Sequence, residues 1–111
     1  MRTRLAPATR DLLSRKLCNA PEVVARIRSG DRVYIGSTCA QPLTLCEALV
    51  ARAPELSGVE IVHLITFGPA PYADPSFAQS FRHLAFFVGP NTRASVQSGH
   101  ADYMPIFLSE I

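Results

Sequence analysis

The chain has no tryptophan, three cysteines, three histidines, and charged side chains at only 18% of its 111 residues. Each shortage excludes something. Cys18, Cys39 and Cys46 form no CxxC or Cys/His ligand pattern, and the scattered histidines lack metal-ligand spacing, so no metal site is expected. An odd thiol count with no secretory leader fits reduced cysteines in a cytoplasmic setting. The net charge of +2 is too small to argue for nucleic acid or an anionic membrane as partner. No run approaches the roughly 18 apolar residues that a bilayer crossing needs. The dinucleotide fingerprint GxGxxG and the P-loop GxxxxGK[ST] are both missing, and Ser37 is not in a GxSxG elbow. The carboxylates Glu22, Glu47, Glu55, Asp102 and Glu110 fall on helices or turns, with no evident acid/base couple. So little charge suggests that part of the surface is covered by more protein.

What is present is organised around residues 31–50, DRVYIGSTCAQPLTLCEALV. A short apolar run ends at Gly36, loop chemistry occupies 37–42, and a helix is expected from Leu43. Pro42 sits where proline is tolerated, at or just before the first helical turn. This is strand–turn–helix grammar, the first half of a βαβ unit, and loops at the carboxyl ends of such strands bind ligands.

The remaining elements follow the same pattern. Basic residues Arg2, Arg4, Arg10, Arg15 and Lys16 mark residues 1–17 as either an organellar presequence or an amphipathic helix. The helix reading turns Leu5, Leu12, Leu13 and Leu17 inward. Asn19 and Glu22 form a capping box for a helix that Gly30 should stop. Strands are expected at 32–36, 59–65, 84–88 and about 104–108, with a short helix at 92–98 capped by Asn91 or Thr92. The second and third are near-continuous apolar runs, the pattern of a parallel sheet covered on both faces. Cys46 falls on the apolar face of the helix after the first loop and reads as core. The stretch 66–83, rich in proline and aromatic residues, is far longer than a typical connection and reads as a wall of a site. The expected fold is therefore α/β: an open, mainly parallel sheet of about four strands flanked by helices, forming one partial domain over residues 1–111. The last strand lacks a breaker or tail, so the chain reads as cut off at its carboxyl end.

His63 lies inside an apolar strand and reads as a hydrogen-bonded core residue. A Cys39 nucleophile would need a base such as His63, and nothing in the spacing places them together. By its own residues the chain holds a pocket-forming loop and no visible catalytic engine.

Three segments together resemble the amino-terminal domain of the acetyl-CoA hydrolase/transferase family: KLCNAPEVVARIRSGDRVYIG, LCEALVARAPELSGVEIVHLITFGPAPYADP and FRHLAFFVGPNTRASVQSGHADYMPIFLSEI. The resemblance runs from about Lys16 to Ile111. It implies transfer of coenzyme A between small carboxylic acids such as acetate, butyrate, succinate or 4-hydroxybutyrate, or hydrolysis of the thioester. In that chemistry an active-site glutamate attacks acyl-CoA and becomes a glutamyl-CoA thioester, which a carboxylate or water then resolves. It implies no permanently bound cofactor, with coenzyme A as co-substrate, a glutamate on a carboxyl-terminal domain absent from these residues, and a homodimer. None of the catalytic residues is expected here. The expected substrate contacts are Gly36, Ser37, Thr38, Gln41, Pro42, Phe67, Gly68, Pro69 and Tyr72, one wall of an interdomain cleft. The competing readings are that these loops only pack on a partner domain, that the chain is a non-catalytic Rossmann-like module for coenzyme A or a nucleotide, or that it is a truncated product serving as an assembly surface.

Overall fold

The computed structural model describes residues 6–111. Four short strands, β1 (Arg32–Ile35), β2 (Val59–His63), β3 (Phe81–Ala85) and β4 (Ala101–Tyr103), form one sheet in the order β1-β2-β3-β4. All three pairings are parallel, with Val33 opposite Ile61, Ile61 opposite His83 and His83 opposite Ala101. Helices α1 (Pro7–Lys16), α2 (Ala20–Val24), α3 (Leu43–Ala51) and α4 (Arg93–Gln97) complete the α/β architecture.

Helix α2 starts where the sequence predicts. Asn19 Oδ1 accepts from Glu22 N–H at 2.9 Å, and Glu22 Oε2 accepts from Asn19 N–H at 2.8 Å. It ends at Val24, well before Gly30. The reason is Arg52, at the end of α3, whose guanidinium donates to the carbonyls of Val24 and, at 2.9 Å, of Ile27. The Val24 carbonyl also accepts from Ile27 N–H at 3.1 Å, so Arg52 adds a second donor there and caps the Ile27 carbonyl, which suits the chain leaving the helix at this point.

Side chains alternate across the sheet. Ile35, Val59, Ile61 and Phe81 face inward with Val24, Cys46, Leu49 and Leu56, forming the apolar core. The opposite face is mixed: Tyr34, Val62 and Leu84 share it in register, Val62 only 6% exposed, with charged side chains around them. Arg32 pairs with Glu60 across β1 and β2, and Arg82 makes a two-pronged pair with Asp102 across β3 and β4, at 2.6 and 2.5 Å. The expectation of a sheet apolar on both faces is therefore corrected in part: one face is apolar, and the other mixes apolar residues with two ion pairs. The third strand runs over 81–85 rather than 84–88, because its ladder with β2 begins at Val59–Phe81 and carries Arg82 outward. The fourth runs over 101–103 rather than 104–108, since Pro105 has no N–H to extend a ladder.

Helix α1 also departs from expectation. Leu12, Leu13 and Leu17 are exposed, Leu17 by 81%, and no residue of α1 is buried. Three residues, 17–19, separate α1 from α2, and the leucines of α1 are not packed into the core. Leu5, Arg2 and Arg4 lie outside the described residues.

Candidate functional site

Parallel strands deliver their carboxyl ends to one edge of the sheet, and three loops meet there. The loop after β1 begins at Gly36. Ser37 Oγ accepts from Leu64 N–H at 3.2 Å, and Thr38 N–H donates to Ile65 O at 2.8 Å, tying this loop to the end of β2. Thr38 is the one non-glycine residue with positive φ, 52°, among the described residues. Left-handed backbone at threonine is strained, and such strain persists only where neighbours over-determine it. The two bonds from Ser37 and Thr38 to β2 provide that constraint.

Gln41 makes the second tie. Its Oε1 accepts from Gly68 N–H at 3.1 Å and its Nε2 donates to Pro69 O at 2.7 Å. Gln41 thus holds the 67–72 loop with both ends of its amide. The approach is close enough that a Cβ on Gly68 would lie 2.8 Å from Gln41 Oε1, so a larger residue there would have to push the Gln41 amide aside. From the other side Asn91, in the loop after β3, donates to Gly68 O at 2.8 Å and to Thr66 Oγ1 at 3.1 Å. Sequence reading treats Asn91 only as a candidate helix cap. The cap residue is Thr92, without a side-chain cap bond, so the Asn91 amide is released for the loop.

A concavity of about 240 Å³ opens between the start of α3 and this loop, lined by Leu43, Cys46, Glu47, Pro69 and Pro71. Phe67 stands out from the loop, 66% exposed. Gly36, Ser37, Thr38, Gln41, Pro42, Phe67, Gly68 and Pro69 therefore share one edge of the sheet. Tyr72 does not join them. It is 1% exposed and lies beneath the loop with its ring edge towards His83, centroids 5.5 Å apart, because the 3-10 turn at Pro71–Ala73 rolls it into the core. Burial pushes the Tyr72 hydroxyl up to about 12.

Below the loops the core holds a second surprise. The imidazoles of His63 and His83 are stacked, centroids 4.5 Å apart and 12° from parallel. They are 0% and 1% exposed, and among the described residues neither ring nitrogen of either has a hydrogen-bond partner. His63 is a core residue as expected, but its hydrogen bond is absent: its neighbours on that face are apolar side chains and another imidazole. Burial pulls both down to about 4, so both rings are neutral at pH 7. Enclosure also removes His63 as a base for Cys39, which is exposed.

The acids are mostly committed. Asp11, Glu55, Glu60 and Asp102 pair with arginines. Glu22, Asp31, Asp74 and Glu110 accept from backbone N–H groups. Glu47 remains, on α3 at the edge of the concavity. Among the described residues no group of three or more His, Cys, Asp or Glu side chains could hold a metal ion, and no helix is long and apolar enough to cross a membrane.

The model of the acetyl-CoA hydrolase/transferase N-terminal domain matches residues 6–111. The 4-hydroxybutyrate coenzyme A transferase of Clostridium kluyveri is 37% identical over 101 residues, 91% of this chain and 24% of that protein. The succinyl-CoA:acetate/propanoyl-CoA:succinate CoA transferase of Fasciola hepatica is 36% identical over 95 residues, 84% of this chain and 20% of that protein. The chain thus spans a quarter or less of the curated relatives it matches. Among solved structures, RipA from Yersinia pestis superposes with a TM-score of 0.79 at 23% identity, covering 91% of this chain and 26% of that one, which shows the fold. With a family match over all the described residues, and the parallel sheet to go with it, the chain belongs to the acetyl-CoA hydrolase/transferase family as its N-terminal domain.

Proposed function

We propose that this domain forms one wall of an acyl-CoA-binding cleft in a CoA-transferase or acyl-CoA hydrolase. The loops at 36–42 and 67–69 supply the wall, with backbone N–H groups and Ser37 orienting a small carboxylate or the thioester. Coenzyme A is a co-substrate, taken up and released. The glutamate that becomes the thioester belongs to polypeptide outside these 111 residues. The observation that carries this reading is the meeting of both loops at the carboxyl edge of the sheet, tied by Gln41. The family supplies the chemistry, and the commitment of eight of the nine acids to other bonds supports placing the nucleophile elsewhere. The free thiols Cys18, Cys39 and Cys46 suit a reducing cytoplasmic compartment.

The test is to titrate the chain with acetyl-CoA, following backbone amide resonances and intact mass. The expected result is that Ser37, Thr38, Phe67 and Gly68 shift while no covalent adduct accumulates. A thioester trapped on Glu47 or Glu110, or steady acyl exchange by this chain, would overturn the placement of the nucleophile. Shifts confined to residues away from these loops would overturn the wall. Binding without turnover, retained when the rest of a longer protein is supplied, would favour a non-catalytic binding module.

A further inference from the structure

Gly68 is gripped on both sides of its residue. Its N–H goes to Gln41 from the β1 loop, and its carbonyl accepts from Asn91 in the β3 loop. Two side-chain amides, arriving from opposite directions, therefore set the position of the loop that follows β2. The loop has two soft dihedrals per residue and two prolines nearby, so fixing both polar groups of one glycine leaves Phe67 and Pro69 little room to move.

The Asn91 side of this grip is itself protected. A Cβ on Gly89 would lie 2.8 Å from Asn91 Oδ1 and 3.2 Å from Thr66 O, so any other residue at 89 would displace the asparagine. Thr66, the second acceptor for Asn91, is fully buried. The amide thus reaches from an exposed loop to a buried hydroxyl, and a solvent-facing asparagine has no need of such an arrangement.

We propose that Asn91 is a positioning residue for the acyl-CoA wall: together with Gln41 it locks the Gly68 backbone, and so holds Phe67 outward as an apolar contact for the acyl or pantetheine portion of the ligand. This rests on reading the strand-end loops as that wall. Asn91 itself touches the loop and needs no contact with the ligand.

The experiment compares the chain with Asn91→Ala, Asn91→Asp and Gly89→Ala in two measurements, amide hydrogen exchange without ligand and titration with acetyl-CoA. Asn91→Ala removes the bonds to Gly68 O and Thr66 Oγ1. The Gly68 amide, still facing Gln41 but on a loosened loop, should then exchange about 5- to 10-fold faster, a change of the size of one hydrogen bond's net contribution. Ile61 and Ala85 amides should be unchanged, which a general loss of structure would not allow. Acetyl-CoA should bind weaker by a similar factor. Gly89→Ala should reproduce both effects with Asn91 still present, by pushing its amide aside. Asn91→Asp keeps the shape but turns an acceptor towards the Gly68 carbonyl, so it should be at least as damaging as alanine. Gly68 exchange that ignores all three substitutions would overturn the lock. Faster exchange with undiminished acetyl-CoA binding would overturn the positioning role. A parent chain that binds no acetyl-CoA would sink the wall reading, while the exchange measurement would still decide the lock.

Discussion

The two faces of the sheet differ in plan, one apolar and one that sets ion pairs around Tyr34, Val62 and Leu84. One buries Ile35, Val59, Ile61 and Phe81 against α2 and α3 and encloses two imidazoles without partners. The other pairs Arg32 with Glu60 and Arg82 with Asp102 at side-chain exposures of 30–72%, each charge satisfied by its neighbour. The difference teaches where this fold keeps its stability. Apolar burial on the inner face is worth kilocalories per side chain, whereas exposed ion pairs contribute little. It also shows that satisfied polar groups need not be the energetically important ones. The unsatisfied histidines on the inner face are tolerated because they are neutral.

The largest effect should therefore come from charging those histidines. Each ring titrates near 4 when folded and near 6.5 when exposed, so the unfolded chain holds more protons between those values. Stability is fully present above about pH 6.5 and falls as pH drops towards 4, by on the order of 3 kcal/mol for the first ring charged. His63 and His83 face each other, with Tyr72 and Cys46 nearby. Asp102 opposes the shift at His83, as a minor influence. Urea midpoints measured from pH 7.5 to 4.5 should show this loss, and a His63→Phe/His83→Phe double variant should flatten it. A parent chain equally resistant at both ends of the range would refute the sign. Next in size is Leu49→Ala, which empties a 2%-exposed position in the core and should cost about 3 kcal/mol in the same assay at pH 7.5. Smallest is Arg82→Ala on the outer face. It breaks a half-exposed pair and should cost less than about 1 kcal/mol, with the deficit shrinking as salt is added. A loss at Arg82 as large as that at Leu49 would erase the contrast between the faces.

Much of this was legible in the sequence, for definable reasons. The capping box at Asn19 and Glu22 and the strand–loop–helix unit at 31–50 depend on contacts a few residues apart, so local chemistry suffices. The outer face was missed because VEIVHLI shows a single charge and the 84–88 window omits Arg82. Shifted three residues, the alternation Phe81, Arg82, His83, Leu84, Ala85 becomes visible. Tyr72 was placed with its loop neighbours because no periodicity distinguishes the inward residue of a short 3-10 turn. Asn91 was hidden for another cause: its partners are 23 and 25 residues away, and the local cap motif offered a nearer explanation. The amides that tie the loops together are long-range bonds, invisible to any pattern read over a short window.

The strand order has a consequence for how the molecule is made. Each strand lies beside the one translated just before it, and Arg32 meets Glu60 only 28 residues later. Among the described residues, no strand must wait for a distant segment or insert between two already paired, so closure entropy stays modest at each addition. A nascent chain leaving the ribosome can lay down the sheet from β1 outward, one crossover at a time, with the acceptor edge always the most recently made.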